Sequence, residues 1–406
     1  MTRLDRLTER LNLKEFQLRA LLDLTKAINN NVPDAELLKL YASIMHDELG
    51  ITRILLYEND GTWRLTHAYG ADGVARPDAA ALIETCKDIT FIGGDSGLGV
   101  DFFDIAVPVY HRDKPLALLL IGDLDDEEQR MSPTVKHLNF IQTLTNLIVV
   151  AQENRRFAAR ALAQERDKRE LELAAEMQQM LVPRDLPTEG RIQAAAWYQP
   201  HQEVGGDYYD VFKTGPDQYV VCVADVSGKG IPAALLMSNF QATLRAMLQN
   251  EQESLDTLVA DLNANVMERA RGERFITLFI ARADLAKSEL TYVNAGHNPP
   301  MLLRDGVVEE LSSGCIALGM LPELPFVQQG KADLHGATLL CYTDGLVEQE
   351  DSQGNDLGTS VVKKHLELLA SSGPRAVNDA LIATFEAHRS GLPYLDDIAL
   401  LTCRFR

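Results

Sequence analysis

Four apolar, strand-like runs in this chain each carry an aspartate at a place where a charge is costly to bury. The first is Val204-Gly205-Gly206-Asp207-Tyr208-Tyr209-Asp210, and the second is Val221-Cys222-Val223-Ala224-Asp225-Val226-Ser227-Gly228-Lys229-Gly230. Two more acidic points lie far downstream. Tyr342-Thr343-Asp344-Gly345 ends the run that starts at Thr338, and Leu395-Asp396-Asp397-Ile398 opens the run that reaches Cys403. A carboxylate so placed has to be hydrated, paired or bound to a cation. Four strands each offering an aspartate make the pattern of a hard, oxygen-liganded divalent-metal site.

Composition narrows the partners. The chain has 406 residues, enough for two or three domains, and a formal net charge of -20. That charge argues against nucleic acid as a partner and fits a carboxylate cluster relieved by a cation. The five cysteines are scattered without a C-x-x-C pair, and Cys222, Cys341 and Cys403 sit inside apolar runs, which suits a reducing compartment. Met1 to Lys14 lacks the apolar core of a signal peptide, and no run of about 18 apolar residues exists to insert in a membrane. A cytoplasmic location is the expectation.

Residues 1–50 read as helix, with Leu18, Leu21, Leu22 and Ile28 at helical spacing, then Leu37, Leu40, Ile44 and Leu49. Strands are expected at Ile51 to Tyr57, Trp63 to Tyr69, Phe103 to Tyr110 and Leu116 to Ile121, the last two forming a hairpin. The glycine-rich stretch Gly93 to Gly99 is not a phosphate-binding P-loop, because no G-K-[ST] follows. Helices, an antiparallel sheet and a long closing helix make an α+β module over residues 1–150. From about residue 15 this order resembles a GAF domain, a sensing or dimerising module. The resemblance implies a small-molecule or protein signal. The Asn-Lys-Phe-Asp-Glu signature of its cyclic-nucleotide-binding members is absent, so a nucleotide ligand is not supported.

A proline-free helix is expected from Val135 to Leu181. Within it, residues 151–182 form a linker whose seam Phe157, Ala161, Gln164, Lys168, Leu171 and Ala175 has heptad spacing. The seam is weak, with two polar positions; it predicts a homodimer through a coiled coil, with a plain solvated connector as the alternative. Leu173, Met177, Met180 and Leu181 make a second stripe, expected to dock on the next domain. The helix stops at Val182-Pro183.

Residues 183–406 change character. Strands are expected at Ile192 to Tyr198, Tyr208 to Lys213, Gln218 to Val226, Ile276 to Ala283, Glu289 to Asn294, Met301 to Arg304, Val307 to Leu311, Phe326 to Ala332, Thr338 to Tyr342 and from Ile398. Helices are expected at Pro232 to Gln249, Ser254 to Arg271, Gly358 to Ala370 and Pro374 to His388. Many strands with helix pairs inserted suggest two stacked antiparallel sheets flanked by helices.

Asp207, Asp225, Asp344 and Asp396 would offer up to eight carboxylate oxygens, and Val226 a main-chain carbonyl. With few histidines nearby, Mg²⁺ or Mn²⁺ is expected before Zn²⁺. Two such ions about 3.5–4 Å apart can share one water, lower its pKa and direct it in line at a phosphoester.

These motifs, with Asn294-Ala295-Gly296-His297-Asn298-Pro299-Pro300 between them, resemble the ordered motifs of the PPM family of metal-dependent protein serine/threonine phosphatases. The similarity covers roughly residues 165–406. It is greatest to the bacterial RsbU-type and stage II sporulation protein E-like branch. The resemblance implies that Asp225 bridges two metals. It implies that Asp207 and the Val226 carbonyl complete one shell, and that Asp344 and Asp396 bind the other ion. Asp397, beside Asp396, is open to the exchanged role, and Asp210 is a candidate to support the ligands. Eukaryotic members carry an acidic residue where Gly206 stands and an upstream phosphate-binding arginine with no counterpart found here. The implied substrate is a phosphoserine or phosphothreonine on an anti-sigma-factor antagonist-like protein, with the linker helix as regulatory input. His297 reads as a turn residue before a general acid, and Lys229 as a solvated lysine before a phosphate contact. The alternative is a non-catalytic scaffold that binds its partner through a phosphatase-like domain. A nucleotide-using kinase lacks its glycine-rich loop.

Overall fold

The computed structural model describes residues 3–74, 76–92, 100, 102–122, 133–183, 185–248 and 254–406. The glycine-rich stretch Gly93 to Gly99 lies outside the described residues. The chain divides into two compact units, residues 1–165 and 166–406.

The first unit opens with helices α1 (Arg3–Asn29) and α2 (Asp34–Ser43), followed by one turn of π-helix. Strands β1 (Arg53–Asn59) and β2 (Trp63–Tyr69), helix α3 (Ala79–Thr85), and strands β3 (Thr90–Phe91), β4 (Ile105–His111) and β5 (Lys114–Gly122) come next. Helix α4 (Pro133–Gln179) begins in this unit and ends in the second. The sheet has the order β2-β1-β5-β4-β3, antiparallel throughout. Its central strands are buried on both faces. Leu24, Tyr41 and Ile148 pack on one side, and Leu82, Ile83 and Phe103 on the other.

Polar residues of α4 are pinned in this unit. Arg155 reaches Asp34 at 2.8 Å and the Val32 carbonyl at 2.6 Å, and Arg156 reaches the buried Glu58 at 2.5 Å. On α1 the core face is set by Ala20 and Leu24, while Leu18 and Leu22 are exposed, contrary to their expected place on the apolar face.

In the second unit the sequence pattern becomes a four-layered arrangement. Strands β6 (Ile192–Gln199), β7 (Tyr208–Gly215) and β8 (Gln218–Val226) lead to helices α5 (Ile231–Met247) and α6 (Leu255–Ala270). Then follow β9 (Ile276–Asp284), β10 (Glu289–Ala295), β11 (Met301–Arg304), β12 (Val307–Glu310), β13 (Gly314–Cys315), β14 (Gly330–Asp333) and β15 (Thr338–Tyr342). The chain closes with α7 (Asp344–Val347), α8 (Thr359–Leu369), α9 (Pro374–Arg389) and β16 (Ile398–Phe405).

One sheet has the order β13-β10-β9-β8-β7, with β14 also on β10; the other is β12-β11-β15-β16-β6. The expected all-antiparallel pairing holds except at β10–β13, which is parallel. Alternation decides the layers. Tyr209, Val221, Val223 and Phe279 face Leu339, Cys341, Leu401 and Cys403 between the sheets. The residues between them on β8 and β9 face α5 and α6, and Leu340, Tyr342 and Leu400 face α8 and α9. The expected strand from Phe326 forms only over Gly330–Asp333, and Phe326 itself is exposed.

Candidate metal-binding site

The four aspartates come from strand ends that the two sheets bring to one edge of the sandwich. Asp207 immediately precedes β7, Asp225 is the penultimate residue of β8, Asp344 follows β15 as the first residue of α7, and Asp396 precedes β16. Asp344-Gly345 therefore starts a helix. Gly345 is required there, since a Cβ would lie 2.1 Å from the Asp397 carbonyl oxygen.

Asp207 is 1% exposed and accepts from the Thr343 hydroxyl at 2.7 Å. That hydroxyl oxygen in turn accepts from the Ala399 amide at 2.8 Å, so β15 and β16 jointly orient the carboxylate. Burial, then the Asp225 and Asp397 charges, push the Asp207 carboxyl well above the usual carboxylate range, against the pull of Thr343. Asp225 is pushed up to about 7 by burial and by the neighbouring Asp344, with a hydrogen bond to Asp207 acting in the other direction. Asp344 is raised by burial, Glu348 and Asp396. Such mutual repulsion in a buried place is relieved by protons or by a cation.

Asp396 is half-exposed and pairs with Lys229 at 2.8 Å. Lys229, exposed as expected, also donates to the Leu395 carbonyl and is held at the rim. The Val226 carbonyl faces the loop before Asp207; a Cβ on Gly206 would lie 3.1 Å from its oxygen.

Two acidic neighbours separate cleanly. Asp397 turns the other way from Asp396 and accepts the main-chain N–H of His201 at 2.7 Å and of Gly206 at 2.6 Å. It holds the loop that delivers Asp207. Asp210 lies on the opposite face of β7 from Asp207, by strand alternation. It accepts from Tyr208 and pairs with Arg245 of α5 at 2.7 Å, so it does not support the ligands. His297 is buried and held low, at about 4, by burial. Its N–H donates to Asn294 Oδ1 at 2.7 Å, and its Nδ1 meets the Thr277 hydroxyl at 2.9 Å. It is a neutral residue that fixes its loop.

Sequence reasoning missed three contributors. Thr343 is an ordinary strand-end threonine by sequence. Arg274, which donates to the Ser227 carbonyl at 2.5 Å, precedes β9 without a motif. Gln178, in the last turn of α4, donates to the Gly205 carbonyl at 2.6 Å and accepts the Gly205 N–H at 3.0 Å. Of the stripe expected to dock, Leu173, Met177 and Met180 are exposed and Leu181 is half-buried; the inward positions are Leu171, Ala175, Gln178 and Val182.

Among the described residues, no three Asp, Glu, His or Cys side chains already surround one point as they would a bound ion. Asp207 and Asp225 share a hydrogen bond, and the charges of Asp344 and Asp396 are close enough to raise their neighbours' carboxyls. The donor chemistry, all oxygen with raised carboxyls short of positive charge, fits a hard divalent cation.

The model of stage II sporulation protein E (SpoIIE) matches residues 215–406. Residues 215–406 are thus similar to the SpoIIE family. Phosphoserine phosphatase RsbU of Bacillus subtilis (strain 168) is 28% identical over 249 residues, 59% of this chain and 71% of that protein. Protein IcfG of Synechocystis sp. (strain ATCC 27184 / PCC 6803 / Kazusa) is 28% identical, over 57% of this chain but 41% of its own length. Among solved structures, the SiaA-PP2C domain of Pseudomonas aeruginosa superposes with a TM-score of 0.54 at 22% identity, over 61% of this chain and 100% of that one. The second unit therefore has the PP2C fold. Among the described residues no helix is long and apolar enough to cross a membrane.

Proposed function

We propose that the chain is a divalent-cation-dependent protein serine/threonine phosphatase whose second unit hydrolyses phosphoserine or phosphothreonine on an anti-sigma-factor antagonist-like protein. The carrying observation is the hydrogen-bonded pair Asp207–Asp225, whose carboxyls, with that of Asp344, are raised by burial and by the charges of the neighbouring acids. The names of the relatives support the chemistry, since RsbU and RsbP of Bacillus subtilis (strain 168) are both described as phosphoserine phosphatases.

Asp207, Asp225, the Val226 carbonyl, Asp344 and Asp396 would hold Mn²⁺ or Mg²⁺, two ions in all. Bound there, such ions supply Lewis acidity toward water and phosphoryl oxygens. The rest of the work belongs to the chain. Thr343 fixes which oxygen of Asp207 faces the site. Asp397 holds the His201–Gly206 loop. Lys229, about 40% exposed at the rim, brings a positive charge to where a phosphate would enter.

Residues 1–150 are read as a GAF-like module taking a small-molecule or protein signal, 151–182 as the linker and 183–406 as the phosphatase. Exposed Phe157, Leu162, Leu173, Met177 and Met180 on α4 favour a homodimer through that helix. The five cysteines are free, which supports a reducing, cytoplasmic setting. The test is phosphate release from p-nitrophenyl phosphate and from a phosphoserine peptide. Turnover is expected with Mn²⁺, none with EDTA, and none in Asp344→Asn; EDTA-insensitive turnover would refute the reading.

A further inference from the structure

The loop that delivers Asp207 is clamped from two directions. Asp397 holds the amides of His201 and Gly206. On the other side the Gln178 carboxamide holds both main-chain groups of Gly205, donating to the carbonyl at 2.6 Å and accepting from the N–H at 3.0 Å. Gln178 is 8% exposed, although α4 around it is largely solvated. A glutamine is buried at such a place only when its amide is matched, and here one residue matches both ends.

The approach leaves no slack. A Cβ on Gly205 would lie 2.3 Å from Tyr198 Oη and 2.9 Å from Asp397 Cγ. Two residues on, Asp207 has its carboxylate fixed by Thr343. The backbone from Gly205 to Asp207 therefore has one position, and one of its two holders belongs to the last turn of α4.

We propose that Gln178 is a positioning residue that makes the cation site depend on the conformation of the α4 C-terminus. This rests on the reading of Asp207 as a ligand. Successive helix positions are about 100° apart, so a one-residue change of register replaces Gln178 on the inner face by Met177 or Gln179. Fraying of the last turn withdraws it altogether. Either change frees Gly205 and lets Asp207 leave its place. The outward stripe of Leu173, Met177 and Met180 on the same turns gives a covering partner purchase on that register.

The experiment uses the full chain. Gln178→Met keeps the length and removes both hydrogen bonds; Gln178→Glu keeps the acceptor but sets a second acceptor against the Gly205 carbonyl. Mn²⁺ binding by calorimetry is expected to weaken at least tenfold in both. Amide exchange in the segment Gly205–Asp207 is expected to quicken at least tenfold, and kcat to fall with KM within twofold. In the wild-type chain, by linkage, Mn²⁺ must slow exchange at Gly205 and EDTA must quicken it. Mn²⁺ affinity within twofold in either folded variant, or exchange at Gly205 indifferent to Mn²⁺, would overturn the role of Gln178. Asp207→Asn serves as a separate arm. If it binds Mn²⁺ like wild type, the ligand assignment fails, whatever Gln178 does.

Discussion

Asp397 accepts the Gly206 amide at 2.6 Å, and so the residue next to one proposed ligand, Asp396, holds the residue next to another, Asp207. The start of β16 and the start of β7 are tied beside the acids. Asparagine at 397 presents one N–H₂ group toward an amide that needs an acceptor. Asp397→Asn should destabilise the domain by about 1–3 kcal/mol in urea titration and weaken Mn²⁺ binding at the same time.

Thr343 offers a second, separable test. Its hydroxyl donates to Asp207 and accepts from Ala399, both in the buried core. Thr343→Val preserves shape and leaves two groups without partners. We expect a loss of about 1–3 kcal/mol and a lower kcat, with the sandwich intact by circular dichroism.

Asp210 and Arg245 should behave differently. Their ion pair lies on the α5 face of β7, away from the four acids. Arg245→Ala leaves a buried carboxylate unpaired; with Arg245 itself partly solvated, the cost should fall at or below the lower end of the roughly 3–5 kcal/mol range for broken buried pairs. Activity per folded molecule should stay within twofold of wild type, measured below the unfolding transition.

The acids also predict a pH dependence. Asp225 has its folded-state pKa raised to about 7, above the carboxylate value of the unfolded chain. The folded cation-free protein then binds more protons than the unfolded chain between roughly pH 4 and 7. Its contribution to stability is fully present below that window and is lost as pH rises through about 7. Thermal unfolding in EDTA should show a lower midpoint at pH 8 than at pH 6. Mn²⁺ competes with the proton, so it should raise the midpoint more at pH 8 than at pH 6.

Much of the fold was legible because strand alternation is a strong signal. Trp63–Tyr69, Gln218–Val226, Met301–Arg304 and Thr338–Tyr342 have the bounds that pattern predicts. The four acids stood out as candidates because each ends or starts such a run. What escaped was set by hydrogen bonding. The inner face of α4 near its end is marked by Gln178, so a search for an apolar stripe picked the solvent face with Leu173 and Met177. Asp396 and Asp397 are equal in sequence, and only the amides of His201 and Gly206 distinguish them. The helix that Asp344 opens went unannounced because α7 has four residues, too few for any periodicity.

Anomalous diffraction at the manganese edge from crystals of the full chain grown with Mn²⁺ tests the central claim most directly. The account predicts two peaks among Asp207, Asp225, Asp344 and Asp396, with Asp225 touching both, and their loss in Asp225→Asn crystals. Peaks elsewhere, or none at saturating Mn²⁺, would contradict it.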